Sequence, residues 1–152
     1  MYRVLIPALI IILTLTLNSY GADLHKELIN SIDSNDLTKT KELIEKGAEI
    51  NKPDRYGYTP LIWAASNGNK EIILLLLSKG AEINFVNKDG GSALWYAVTN
   101  QKVDTLRLLL EKGADPNIKF MDSQTPLEYA EERNRDKFIE IADILKKSGA
   151  RK

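Results

Sequence analysis

The chain has 152 residues, with 21 Lys plus Arg against 21 Asp plus Glu, one histidine and no cysteine. That length suits one domain, and the lack of cysteine excludes disulfide stapling, thiol chemistry and a lipid-modified N-terminal Cys. The charges of both signs are interspersed without a long basic block, which argues against a nucleic-acid partner.

The first element has the layout of an address. Arg3 is the only charge before Asp23, and Val4 to Leu17 is nearly all apolar. The small residues Ser19 and Gly21 then precede Ala22, as a signal-peptidase site requires. Fourteen helical residues would span about 21 Å, short of a hydrocarbon core of about 30 Å, and Pro7 interrupts the run. The expectation is a secretory signal peptide over 1–21 and a periplasmic or secreted mature chain. The alternative is an uncleaved N-terminal anchor. Cleavage would remove one cation and no acid, leaving 20 against 21 and a net charge of −1.

From residue 22 onward two phrases recur every 33 residues. One is Gly47-Ala48-Glu49-Ile50-Asn51, Gly80-Ala81-Glu82-Ile83-Asn84 and Gly113-Ala114-Asp115-Pro116-Asn117. The other is Thr59-Pro60-Leu61, Ser92-Ala93-Leu94 and Thr125-Pro126-Leu127. Two interleaved signals with one period mean stacked copies of a supersecondary unit. The period divides 22–152 into repeats 22–53, 54–86, 87–119 and 120–152.

The chemistry of the unit follows in order. An Asp-x-x-Gly turn opens it at Asp54. Thr59 can cap a short helix, with Pro60 in the first turn, where its missing N–H costs nothing. Leu61, Ala64 and Ala65 share one face at i, i+3, i+4. Gly68 ends the short helix and Gly80 the second one. The unit therefore predicts turn, short helix, turn, helix, extended loop. The second helix of the middle unit, Ile72 to Leu77, is apolar nearly all round, as a helix covered on several sides should be.

These residues closely resemble the ankyrin repeat family, whose unit has this length and a Thr-Pro-Leu-His-x-Ala phrase. The resemblance runs from residue 23 to about 150. It implies an all-α solenoid of helix-turn-helix units with loop hairpins, binding proteins through loop tips and the concave face of the short helices. The usual His position holds Ile62, Trp95 and Glu128, so inter-repeat ties must come from elsewhere. The terminal units look like caps with polar outer faces. The last one carries three extra residues between Ala130 and Gly149, relative to Ala97 and Gly113.

Catalysis needs a convergent constellation, and none is legible. His25 has no second His or Cys with which to share a metal, and is read as a surface or cap-packing residue. Glu131-Glu132 and Asp33-Asp36 are read as solvated acids, and Gly90-Gly91 lacks the pattern of a phosphate loop. Neither a cofactor nor a metal is expected, and no catalytic activity.

Spacing also places the candidate partner-binding residues. If Leu61, Ala64 and Ala65 face the core, Trp63 and Asn67 fall on another face of the short helix. Their successors are Tyr96 and Asn100, then Tyr129 and Arg133. Trp63, Tyr96 and Tyr129 would form a ladder of one aromatic per repeat, serving either as an interface or as packing between repeats. The loop tips add Arg55, Tyr56 and Tyr58, then Lys88 and Asp89, then Met121 and Asp122. On the opposite side, Leu74 aligns with Lys41 and Arg107, whose stems are expected to cover it. The reading is a monomeric module that recognises a protein partner. A membrane-tethered scaffold, or an inhibitor or protective partner of an extracytoplasmic enzyme, are the alternatives.

Overall fold

The structure is a computed structural model that describes residues 24–151 apart from Asn134 and Asp136. The expected signal peptide lies outside these residues. Among them the chain forms eight helices and no strand. The helices are α1 over 24–33, α2 Leu37–Glu45, α3 Pro60–Asn67, α4 Lys70–Ser78, α5 Ala93–Thr99, α6 Val103–Glu111, α7 Pro126–Arg133 and α8 Lys137–Lys147. None of them is long and apolar enough to cross a membrane.

The short helices α3, α5 and α7 each start where a hydroxyl meets the first free N–H groups. Thr59 accepts from the Ile62 amide and Ser92 from the Trp95 amide. Thr125 does more: its hydroxyl accepts from the Glu128 amide while Glu128 Oε2 accepts from the Thr125 amide at 2.8 Å. This reciprocal pair is a capping box. The residue at the family's His position in the last unit thus serves its own helix. The ends are equally local. Gly68 takes φ 88° and closes α3 onto the Ala64 carbonyl.

Packing runs in two layers. α3 packs on α5 and α5 on α7, while α2, α4, α6 and α8 stack behind them. The short helices carry Ala64, Ala65, Ala97 and Ala130, all with no exposed surface. Leu61, Ile72, Ile73, Leu76, Leu94, Leu106 and Leu109 fill the space between the layers. Each such side chain contributes about 1.5–3 kcal/mol of burial. α4 departs from its expected coverage at one place. Leu74 is 43% exposed, so the expected cover from the stems of Lys41 and Arg107 does not bury it; the Arg107 guanidinium pairs with Glu140 of α8 at 3.0 Å.

The missing His ties are replaced by asparagines. Asn51 donates to the Gly80 carbonyl and accepts from the Glu82 amide. Asn84 accepts from the Asp115 amide, and Asn117 from the Arg151 amide. The first two amide partners lie 31 residues ahead and the last 34. The difference is the three-residue extension of the final unit, so the bond is kept while the helix lengthens. Deeper in, Asn69 stands at the start of α4 without capping it; its amide donates to the Ile32 carbonyl of the previous unit at 2.7 Å.

These ties differ in burial, and the difference is measurable. A hydrogen bond contributes about 0.5–1.5 kcal/mol, more where its loss leaves polar groups in a dry site. Asn69→Ala removes a buried bond and should cost about 1.5 kcal/mol, whereas Asn84→Ala on an exposed loop should cost about 0.5 kcal/mol. Urea unfolding midpoints are expected to fall in the order wild type, Asn84→Ala, Asn69→Ala.

Candidate functional site

Three loop tips project at the 33-residue period, over 54–58, 87–91 and 120–124, and they are built differently. In the first, Asp54 Oδ1 accepts from the Tyr56 and Tyr58 amides at 2.8 and 2.9 Å, and Oδ2 accepts from the Trp63 indole N–H at 2.9 Å. In the second, Asn87 Oδ1 accepts from the Asp89 and Gly91 amides, and its Nδ2 donates to the Tyr96 hydroxyl at 2.9 Å. The donor–acceptor logic explains the pairing. An indole can only donate, so Trp63 faces a carboxylate; a phenol can accept, so Tyr96 takes an amide. The third tip has Phe120 at this position. Its turn is made instead by Met121 and Asp122, both at positive φ (52° and 54°). Two such residues in succession are the signature of a primed hairpin turn. The second and third tips are also joined, since the Met121 amide donates to the Asp89 carbonyl at 2.8 Å.

The aromatic ladder expected from spacing is not continuous. Tyr58 lies between Trp63 and Tyr96, with ring centroids 5.6 and 4.9 Å away. Tyr129 belongs to a second cluster with Trp95 at 5.1 Å and Phe138 at 5.8 Å, and Phe120 stacks on Trp95 at 4.6 Å. No ring contact joins the clusters among the described residues. Trp95 is buried, and Trp63, Tyr96 and Tyr129 are half-buried. Burial, followed by the neighbouring Tyr58 hydroxyl, pushes the Tyr96 phenol well above its ordinary pKa, so it stays neutral.

The other candidate residues separate in the same way. Asn67 donates to Asp33 Oδ1 at 3.2 Å and Asn100 to Ser66 Oγ at 2.7 Å, so both side-chain amides tie one unit to the one before. The Arg133 guanidinium covers the Tyr129 ring at 3.8 Å. Lys88, Asp89 and Asp122 are exposed. Tyr56 and Met121 are the most open apolar side chains of the tips, at 60% and 63% exposure. The Arg55 guanidinium sits 4.6 Å over the Tyr56 ring.

One part of the surface is missing from the spacing argument. A groove of about 580 Å³ runs between α1 and the first tip, where Arg55, Tyr56 and Trp63 meet His25, Ile29 and Asn30. The first unit lacks the Thr-Pro-Leu phrase, which hides its short helix from motif matching. The period itself carries the signal: Asn30 stands 33 residues before Trp63, and Asp33 before Ser66.

The acids read as solvated have local partners. Asp36 caps α2, Glu131 pairs with Lys146 at 2.8 Å, and Glu132 accepts from Gln124. No group of three metal-ligating side chains converges among the described residues.

The sequence matches the family model described as "Ankyrin repeats (3 copies)" over residues 12–87, 28–120 and 80–152. The chain belongs to the ankyrin repeat family. Ankyrin repeats are in general non-catalytic modules for protein–protein interaction. Among curated proteins, it is 38% identical over 47 residues to "Ankyrin repeat, SAM and basic leucine zipper domain-containing protein 1" of Mus musculus, covering 31% of this chain and 10% of that protein. The protein of the same name from Eulemur macaco macaco is 32% identical over 57 residues, 38% of this chain and 12% of the relative. The matched part is about a tenth of the length of these relatives.

His25 is 7% exposed, and neither ring nitrogen has a hydrogen-bond partner among the described residues. Burial lowers its pKa from the ordinary value; an approach to the Glu49 backbone opposes this without reaching hydrogen-bond geometry. The folded protein therefore prefers the neutral imidazole, and the unfolded chain binds the extra proton first as pH falls. Stability should be full above about pH 6.5 and decline below it, until the lowered folded pKa is passed, with a slope of at most about 1.4 kcal/mol per pH unit. His25→Phe is expected to flatten that decline in urea titrations between about pH 6.5 and 5, above the range where most carboxylates titrate.

Proposed function

We propose that this ankyrin repeat protein is a non-catalytic recognition module that acts outside the cytoplasm, as a monomer, and holds a protein partner against its loop tips and concave face. The observation that carries the reading is the first tip. Asp54 gathers two backbone amides and the Trp63 indole, while Tyr56 projects from this base with 60% of its surface exposed. The scaffold gains little from that side chain. Tyrosine supplies large contact area with little rotamer entropy to lose, and a preordered loop lowers the cost of association. Trp63 and Tyr96 act chiefly behind the surface, by fixing the tips through Asp54 and Asn87.

Crosslinking of the native protein followed by capture is expected to recover one protein partner. Tyr56→Ala should weaken capture by about tenfold or more, as expected for a residue contributing at least about 1.4 kcal/mol, with an unchanged circular dichroism spectrum. Undiminished capture by Tyr56→Ala combined with Met121→Ala would overturn the tip-centred reading.

Export rests on Arg3, the apolar run Val4 to Leu17, and the small residues Ser19 and Gly21. Mass spectrometry of the native protein is expected to find Ala22 at the N-terminus. An intact Met1 would overturn the cleaved form and favour the membrane-tethered alternative.

A further inference from the structure

α3 ends on the one Asn-Gly pair in the chain, Asn67-Gly68. Such a pair is open to attack from within. Glycine has no Cβ, so its backbone nitrogen can swing onto the carbonyl carbon of the preceding Asn side chain. The scaffold does not demand glycine at this turn. Asn35 and Gln101 hold the same position in the flanking units, at φ 54° and 56°. A Cβ on Gly68 would first meet the flexible side chain of Lys102, at 3.1 Å.

Two hydrogen bonds hold the reaction off. The Gly68 amide, which must lose its proton to attack, donates to the Ala64 carbonyl at 2.9 Å. The Asn67 side-chain amide donates to Asp33 Oδ1 of α1 at 3.2 Å. Ring closure also requires Asn67, the last residue of α3, to leave its helical torsions. All three restraints sit at a helix end, where local opening costs less than in the core.

We propose that Asn67 is a deamidation site gated by the end of α3, and that its conversion to a carboxylate loosens α3 from α1. When the helix end opens, the deprotonated Gly68 nitrogen attacks Asn67 Cγ. A Cγ–N bond forms, the Cγ–Nδ2 bond breaks, and ammonia leaves with the proton. Water then opens the cyclic imide. Cleavage at Cγ leaves an aspartate; cleavage at the backbone carbonyl leaves an isoaspartate, with the main chain routed through the former side chain. In sum, an amide and water become a carboxylate and ammonium. The aspartate replaces a donor facing Asp33 with a like charge, and it adds negative charge at the negative end of α3. A tie between two units thereby becomes a repulsion.

The test has two parts. The purified protein, the same protein in concentrated urea, and a synthetic peptide of residues 64–71 are incubated at mildly alkaline pH and mapped by mass spectrometry. Conversion at Asn67 is expected to be at least about tenfold slower in the folded protein than in the peptide, as an opening free energy of about 1.4 kcal/mol or more would give. Urea should restore the peptide's rate. Equal rates in folded protein and peptide, or no conversion in urea, would overturn the gated site. The consequence is read by urea unfolding of Asn67→Asp in two backgrounds. In the wild type it should lower the folding equilibrium constant about fivefold. Beside Asp33→Asn, which can donate back to the new carboxylate, the loss should shrink to about twofold or less. No loss in the wild type, or an equal loss in both backgrounds, would overturn the proposed loosening.

Discussion

The close approach of the short helices sets the geometry on which everything else depends. Ala64, Ala65, Ala97 and Ala130 have no exposed surface, and residues this small allow neighbouring helices to approach closely. A helix pair of this size cannot bury an apolar face alone, so its stability comes from its neighbours. Once that spacing is set, loops 33 residues apart come within hydrogen-bond reach, and the asparagines at 51, 84 and 117 can bridge them. Larger residues at the alanine positions would push the units apart and break these bridges together with the core.

The same spacing explains why the His of the family phrase can be absent. At its three positions stand a buried Ile62, a Trp95 stacked on Phe120, and a Glu128 that closes a capping box. Each does local or apolar work, and the polar ties between units fall to asparagine side chains instead. The final unit shows that the tie, rather than the sequence interval, is what the structure retains. α8 has 11 residues where α4 and α6 have nine, and the bond from Asn117 simply moves three residues further along the chain to Arg151.

The loop tips divide scaffold duty from display. Asp54 and Asn87 use their side chains to order the backbone beneath the tip, and Trp63 and Tyr96 brace them from the short helices. At the first tip that bracing leaves Arg55 and Tyr56 outside, and the third tip displays Met121 from its own turn. A surface built this way changes little on binding, so contact energy is not spent on ordering loops. The groove next to the first tip extends the surface onto α1, where Lys26 and Ile29 add charge and apolar area to the display.

Much of the scaffold was legible in the sequence because its determinants are local. A Thr or Ser before Pro-Leu or Ala-Leu caps a short helix, glycine after the second helix permits positive φ, and the 33-residue period stacks the units. The three extra residues of the last unit could be counted before their purpose was visible. Side-chain partners could not be read, because they depend on distances across units. The ladder of Trp63, Tyr96 and Tyr129 looked uniform by period, yet Tyr58 joins the first two while Trp95 and Phe138 claim the third. Asn67 and Asn100 occupied the right face for a partner, and their amides turned out to bind Asp33 and Ser66. Leu74 stays 43% exposed although Lys41 and Arg107 occupy its position in the flanking units. By itself, the sequence determined the repeat, its ends and the face that looks outward, since capping and periodicity are short-range. Tertiary structure alone decided which polar and aromatic groups on that face are left free, since that depends on what each one meets about 33 residues away.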